Sequence, residues 1–292
     1  MKRRPLRSPV VLLLALLLLA NAVVSQSVAV HQEILHTYNF QPHLLSQQEI
    51  TAKSGVLDQF WSKAKAQPSV YIPGLRQELA DFNNPPFFLY DGSMLLLSLS
   101  DTPADRKIAL AAMARCNLRD VQAKDYFMQV HRLAALGEDT TAAAFHVLVR
   151  PKFSVFIPQH VLTLGQDYVL VYMLLPTGQD FWLQPAIDHL KTESDSTAQK
   201  SLLLLLWYAQ TDAADQAIST FAGDAAKSSA SRTYAQDLLH RKQKIGSEQK
   251  TQAADETEAS LRQKRRERLK SVSDEALYDL DDYTVLLMAK RK

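Results

Sequence analysis

The 292-residue chain contains a single cysteine and only eight glycines. One cysteine cannot form an intramolecular disulfide, so the fold must be stabilised by packing alone. We expect Cys116, at the end of an alanine-rich stretch with helical character, to be a buried thiol. No two glycines are four residues apart, so the chain lacks a Gly-x-Ser-x-Gly nucleophile elbow. It also lacks a phosphate-binding loop ending in Gly-Lys-Ser/Thr, so serine-hydrolase and P-loop chemistry have no sequence basis.

Metal-binding motifs and a strong net charge are missing as well. The chain has no His-Glu-x-x-His, and the pair His189 and Glu193, at helical spacing, has no visible third ligand. We therefore predict no metal site, and no motif predicts a cofactor. A formal charge of +2 creates no field that would attract nucleic acid, so we expect no nucleic-acid partner.

Residues 1–25 predict an export signal. A basic start precedes an apolar run at 10–20 and small residues at 20–22, which is the order of a signal peptide. We expect cleavage after Ala22 or Ser25, giving a periplasmic or secreted chain. The alternative is an uncleaved signal anchor, which the run disfavours because it is shorter than the ~20 residues that cross a bilayer.

Apolar side chains beyond the leader follow helical spacing, and we predict an all-α fold. Residues 26–48 show no clear period and form a lead-in segment. The main domain, 49–243, opens with an apolar stripe that includes Val56, Phe60 and Ala64. Residues 158–175 are compatible with a buried helix or a strand pair, and their length favours the helix. Further helices are predicted over 72–82, 102–115, 121–136, 139–149, 180–190, 195–209, 212–221 and 231–241.

Three predicted helix starts share an Asp-Ser/Thr pattern. They begin at Asp101, Asp139 and Asp195, with spacings of 38 and 56 residues. The first spacing matches one helix-pair repeat of about 40 residues, although Asp and Ser/Thr recur at helix starts anyway because they cap helices well. In architecture, residues 50–241 resemble the HEAT and armadillo class of helical repeats. The resemblance implies α-solenoid-like stacking of helix pairs and transfers no functional residue.

The C-terminal portion differs in composition. Apolar residues are scarce over 244–273, which predicts a charged linker, either disordered or a single solvated helix. Its basic residues, which include Arg265 and Arg266, predict at most weak attraction to anionic lipids or an acidic partner. Residues 274–292 predict a short amphipathic helix, on which Leu280 and Leu287 are candidate docking residues.

Repeat-like helices without a catalytic motif predict an exported, non-catalytic scaffold that binds a protein or peptide partner. One alternative is a motif-less hydrolase, which clustering of His131, His146 or His160 with a carboxylate would favour. Another is a structural spacer whose C-terminal tail docks on a partner. Candidate groove contacts are His160, Tyr168, Phe181 and Trp182, and candidate tail contacts are Arg265, Arg266, Leu280 and Leu287.

The leader predicts a defined mature N-terminus. We expect the chain, expressed with its leader in a bacterium, to be recovered outside the cytosol with Val23 or Gln26 as its first residue. Leu14→Arg should retain the full-length chain in the cytosol, because a charge opposes insertion of the apolar run. N-terminal sequencing of fractionated cells measures both outcomes, and an uncleaved wild-type chain in the cytosol would contradict the prediction.

Overall fold

The computed structural model describes residues 28–81, 84–121, 123–149, 170–171 and 173–252. Every regular element in these ranges is a helix, so the fold is all-α. The chain divides into two compact units, residues 1–120 and 121–292. The first unit contains α1 (28–37), α2 (Gln47–Ala66), α3 (Pro68–Ala80), α4 (Pro86–Leu99) and α5 (Pro103–Met113).

The core of the first unit lies where α4 packs against α3 and α5, while α2 contacts α3 and α4. α3, α4 and α5 each begin with a proline, which suits a first turn because that N–H has no partner within the helix. Fully buried side chains of this core are Phe60, Leu75, Leu79, Phe88, Leu95 and Leu96.

The lead-in segment contains a helix, α1, that the apolar pattern did not indicate. Val30, Ile34 and Tyr38 are buried along one side of α1 and just after it. The close approach of α3 makes this possible: a Cβ on Gly74 would lie 2.6 Å from Val30 Cγ1. Tertiary packing therefore specifies a helix whose own apolar repeat is too short to detect.

α4 was also left unassigned by the sequence pattern. Its side chains are apolar around most of the circumference, and buried residues occur on almost every side of its second half. A helix buried on nearly all sides has no amphipathic period, so periodicity alone does not reveal it.

Asp105 joins α3 to the start of α5. The buried carboxylate accepts hydrogen bonds from Arg76 Nε at 2.6 Å and Nη2 at 2.9 Å, and from the hydroxyls of Ser100 and Thr102 at 2.6 Å each. Thr102 caps α5 as predicted, since its hydroxyl accepts from the Asp105 N–H at 3.2 Å. These bonds, that from Arg76 above all, hold the pKa of Asp105 well below its usual value.

The second unit is built around α9, with its helices bounded at α6 (Ala123–Ala135), α7 (Thr141–His146), α8 (Leu183–Thr192), α9 (Ser196–Ala209), α10 (Asp212–Gly223) and α11 (Ser229–Gln252). α9 contacts α8, α10 and α11. All five leucines of 202–206 are buried, as predicted for this run. Gly137 follows α6 with φ of +83°, which confirms that it ends the helix.

The other predicted helices of the second unit also form. α7 is shorter than predicted and continues as a 3-10 turn at Val147–Val149. α11 extends to Gln252, so the first residues of the predicted charged linker are helical. Residues 170–171 and 173–174 are helical, Leu175 begins a 3-10 turn, and the rest of 158–175 lies outside the described residues. Among the described residues, no helix is both long enough and apolar enough to cross a membrane.

The Asp105 junction should make the first unit sensitive to acid. We expect Asp105→Asn to lower the free energy of unfolding by about 2 kcal/mol at neutral pH, because the charge-assisted hydrogen bonds are lost. A carboxylate with a lowered pKa in the folded chain stabilises it fully above about pH 4, the usual pKa, and loses that contribution as the pH falls further. The difference between wild type and variant should therefore shrink in acid.

Urea unfolding followed by circular dichroism at a series of pH values measures this difference. Asp101→Asn, at an exposed carboxylate beside the same helix start, is the matched control and should leave the pH profile close to that of wild type. A constant difference between wild type and Asp105→Asn from pH 7 to acid would contradict the assignment.

Candidate functional site

α2 extends beyond the core of its own unit. Its 20 residues span about 30 Å, whereas the 13 residues of α3 span about 20 Å. The buried side chains of α2 are Phe60 and Ala64, both in its C-terminal half. The N-terminal 13 residues of this helix therefore bury no side chain.

A capping box begins α2 at its solvent-exposed end. The Ser46 hydroxyl accepts from the Glu49 N–H, while the Glu49 carboxylate accepts from the Ser46 N–H at 2.8 Å. The bonds from Ser46 lower the pKa of Glu49. Such a cap contributes about 1 kcal/mol and helps to maintain a helix end that buries no side chain.

The core-facing side of α2 continues into solvent as an apolar strip. Ile50, Val56 and Leu57 precede Phe60 and Ala64 within an arc of about 120° of the helix surface. Ile50 and Val56 are each 39% exposed. We call Ile50, Val56 and Leu57 the α2 seam.

Other apolar side chains of the first unit are exposed as well. Leu44, just before α2, is 70% exposed. Val28 and Leu35 are seven residues apart and lie on the outer side of α1, opposite its buried residues. Among the described residues, exposed large apolar side chains are thus concentrated at 28–56.

Aromatic rings surround the carboxylate of Asp91, which α4 places beside the seam. Asp91 Oδ2 accepts hydrogen bonds from the Tyr38 hydroxyl and from Trp61 Nε1, the latter at 2.8 Å. The Phe87 ring contacts Tyr38 and Phe40, with centroid separations of 5.9 and 5.4 Å. Phe40, Trp61, Phe87 and Asp91 are all half-buried, and we call these four residues the aromatic patch.

The electrostatics of the patch are unusual because Asp91 has neutral donors. Burial raises the pKa of Asp91 despite the bonds from Tyr38 and Trp61, and the negative charge of Asp58 raises it further. Burial and the charge of Asp91 together raise the pKa of Tyr38 well above its usual value.

Two lysines lie against rings of the patch. Lys53 Nζ is 5.1 Å from the Phe40 centroid, and Lys65 Nζ is 5.1 Å from the Trp61 centroid. Both distances are typical of cation–π contacts. Ring faces in this patch are therefore accessible to cations.

Sequence analysis did not anticipate this site. Trp61 was placed on a helical stripe, Tyr38 and Phe40 fell in the lead-in segment, and Asp91 lay in the unassigned α4. The available signal was the spacing of Phe87 and Asp91, four residues apart, which places a ring and a carboxylate side by side once the segment is known to be helical.

The predicted groove contacts are placed differently. Phe181, before α8, is 37% exposed, whereas Trp182 is 3% exposed and belongs to the core of the second unit. His160 and Tyr168 lie outside the described residues. The same holds for the predicted tail contacts Arg265, Arg266, Leu280 and Leu287, and for the leader with Ala22 and Ser25.

Two histidines of the second unit contact neighbouring side chains. His131 is buried and its ring stacks on Phe127 at 6.1 Å between centroids. His189 Nε2 lies 3.0 Å from Glu193, whose carboxylate also accepts two backbone N–H groups ahead of α9. Within the described ranges, no three His, Cys, Asp or Glu side chains are grouped as metal ligands.

Comparisons of the chain with models of protein families, with curated proteins and with solved structures found no match. The resemblance to HEAT and armadillo repeats therefore stays a prediction. The three predicted repeat starts are capped in different ways. Thr102 and Asp195 cap α5 and α9 through their side chains, whereas the Thr140 hydroxyl donates to the Met173 carbonyl instead.

Gly92 makes room for the ring that supports Tyr38. A Cβ on Gly92 would lie 2.6 Å from Phe88 Cε2, and the Phe88 ring packs on Tyr38 with 5.0 Å between centroids. We expect Gly92→Ala to lower the free energy of unfolding by roughly 1–3 kcal/mol, because overpacking outweighs the helix propensity of alanine. Urea unfolding measures the change.

Gly55 provides the matched control, since it also lies inside a helix but a Cβ there would have no atom within 4 Å. Gly55→Ala should stabilise the chain by about 0.5–1 kcal/mol. Equal stabilisation by both substitutions would contradict the close packing of the Phe88 ring against Gly92.

Proposed function

We propose that this chain is an exported, non-catalytic helical scaffold that binds a protein or peptide partner. The observation that carries the proposal is the α2 seam, an apolar strip on a helix that extends past its own core. The predicted leader supports the exported location. The proposal commits to a partner that covers the seam with apolar side chains.

The seam has the properties of a preformed helical binding surface. Contiguous exposed apolar surface is uncommon on monomeric proteins unless it is used for binding. The helix is already formed and capped, so a partner would not pay for ordering it. Covering the exposed parts of Ile50 and Val56 would contribute roughly 1 kcal/mol each, and a helix lying in a partner's groove is a common mode of peptide recognition.

The carboxylates with the strongest interactions support a structural role for their charges. Asp105 joins α3 to α5, and Glu193 accepts the N–H groups of Ser194 and Asp195 between α8 and α9. Glu33 of α1 accepts hydrogen bonds from Lys63 Nζ at 2.8 Å and from the Tyr71 hydroxyl at 2.7 Å. These bonds lower the pKa of Glu33 against the opposing effect of burial, and they raise the pKa of Tyr71, already raised by burial, to about 12. Each of these carboxylates bonds to a neighbouring helix or to the segment before one. These bonds explain its altered pKa without a catalytic role.

The test compares three versions of the full chain as affinity baits in an extract of the native envelope fraction. The seam variant carries Ile50→Glu and Val56→Glu. The control variant carries Thr51→Glu and Ser62→Glu, two exposed positions on the opposite side of α2. All three chains should have similar thermal midpoints, because none of the four side chains is buried.

We expect quantitative mass spectrometry to find a protein or peptide retained by wild type and by the control but reduced at least tenfold by the seam variant. Equal retention by all three chains would contradict the proposal. Sedimentation analysis of the free chains provides a second readout. If wild type forms a dimer that the seam variant does not, the seam is a self-association surface and the proposed partner role is overturned.

A further inference from the structure

We propose that the aromatic patch recognises an arginine side chain of the partner. The guanidinium would donate to Asp91 Oδ1 and stack on the Phe87 ring. This inference deepens the proposed function, because it assumes that the partner is a polypeptide, and it assigns the basic residue that such a partner must carry. Four features of the patch support this proposal: the free oxygen of Asp91, the charge around it, the arrangement of ring and carboxylate, and the position beside the seam.

One carboxylate oxygen of Asp91 has no donor among the described residues. Both donors from the described residues, Tyr38 and Trp61, bond to Oδ2. An ionised carboxylate has about four acceptor positions, and Oδ1 uses none of them toward the described side chains. Because Asp91 is half-buried rather than enclosed, an incoming donor has access to this oxygen.

The charge at the aromatic patch favours a cationic ligand. The two groups that bond to Asp91 are neutral, and the nearby carboxylate of Asp58 adds a second negative charge. An ionised carboxylate that has lost part of its hydration without gaining a cationic hydrogen-bond donor gains more from a cation than from any neutral ligand. The patch therefore favours a positively charged group over an amide or a hydroxyl.

The arrangement of the Phe87 ring and the Asp91 carboxylate suits a planar cation. Phe87 and Asp91 are one helical turn apart on α4, so the ring and the carboxylate are neighbours on one side of the helix. Lys53 and Lys65 already lie over Phe40 and Trp61, whereas Phe87 has no such cation among the described residues. A planar guanidinium can stack on a ring and donate an N–H in its own plane at the same time, which an ammonium cannot do as well.

The aromatic patch lies next to the α2 seam. Leu57 of the seam and Trp61 of the patch are four residues apart on α2, so the two surfaces are continuous. A peptide segment that covers the seam with apolar side chains would reach the patch within one or two turns. The seam would then contribute affinity, and the charge at the patch would select the sequence.

The test follows the indole N–H resonance of Trp61 in the full chain labelled with nitrogen-15. This N–H donates to Asp91, so it reports directly on the patch, and Trp61→Phe identifies its signal among the three tryptophans. Trp182 and Trp207 lie in the core of the second unit and act as internal references. The probe is N-acetyl-argininamide, and the control probe is N-acetyl-citrullinamide, an uncharged analogue of nearly the same shape.

We expect the arginine probe to shift the Trp61 signal saturably and the citrulline probe to leave it unchanged. Asp91→Asn should weaken the dissociation constant about tenfold, since one charge-assisted hydrogen bond is lost. Phe87→Leu should weaken it several-fold, and it keeps the proposal testable if Asp91→Asn does not fold. Asp101→Asn, an exposed acid elsewhere in the first unit, should leave the affinity unchanged.

An equal response to citrulline would overturn the charge recognition, and an unchanged affinity in both Asp91→Asn and Phe87→Leu would overturn the location. The absence of a saturable shift in wild type would overturn the proposal as a whole. The seam variant should still bind the arginine probe, because its substitutions lie outside the patch. Failure of the scaffold function and failure of arginine recognition are therefore distinguishable.

Discussion

The hydrogen bonds to Asp91 connect three helices of the first unit through one partly buried carboxylate. Tyr38 follows α1, Trp61 belongs to α2, and Asp91 itself lies on α4. A half-buried charge must retain its donors, because losing one costs about 1–3 kcal/mol or more. This requirement fixes the C-terminal half of α2 against α4, and the free N-terminal half then extends in a defined direction. The exposed seam depends on that anchored end.

Two carboxylates of the same unit have opposite pKa shifts, because the hydrogen bonds from Arg76 dominate at Asp105 whereas burial dominates at Asp91. Asp105 accepts from a guanidinium as well as from two hydroxyls, and its pKa is lowered. Asp91 accepts only neutral donors from the described residues, and its pKa is raised. Within this chain, Arg76 therefore shows that bonds from a guanidinium lower the pKa of a buried carboxylate. Asp91 is partly buried and accepts hydrogen bonds, but it has no cationic donor among the described residues, and this contrast supports the proposed arginine partner.

Sequence periodicity predicted the amphipathic helices well because burial on one side produces the pattern that it detects. α6, α8, α9 and α10 lie where expected, α11 extends past its predicted end at 241 to Gln252, and Thr102 caps α5 as its sequence indicates. α1 was missed because it buries only a short apolar repeat against Gly74, and α4 because it is buried on nearly all sides. The candidate site depends on these two helices. It was therefore invisible to local patterns, since Tyr38, Trp61 and Asp91 meet only through tertiary packing.

A fold without disulfides has to divide rigidity and exposure between different parts of its surface. In the first unit, buried leucines and the Asp105 junction hold α3, α4 and α5 together, and exposed apolar side chains occur on α1 and α2. An apolar seam alone would bind many partners, because hydrophobic contact is not directional. A carboxylate among rings adds direction, since a wrong side chain would leave it desolvated and unpaired at a cost in free energy. Specificity in such a surface therefore requires the polar residue to sit at the end of the apolar strip, which is where α4 places Asp91.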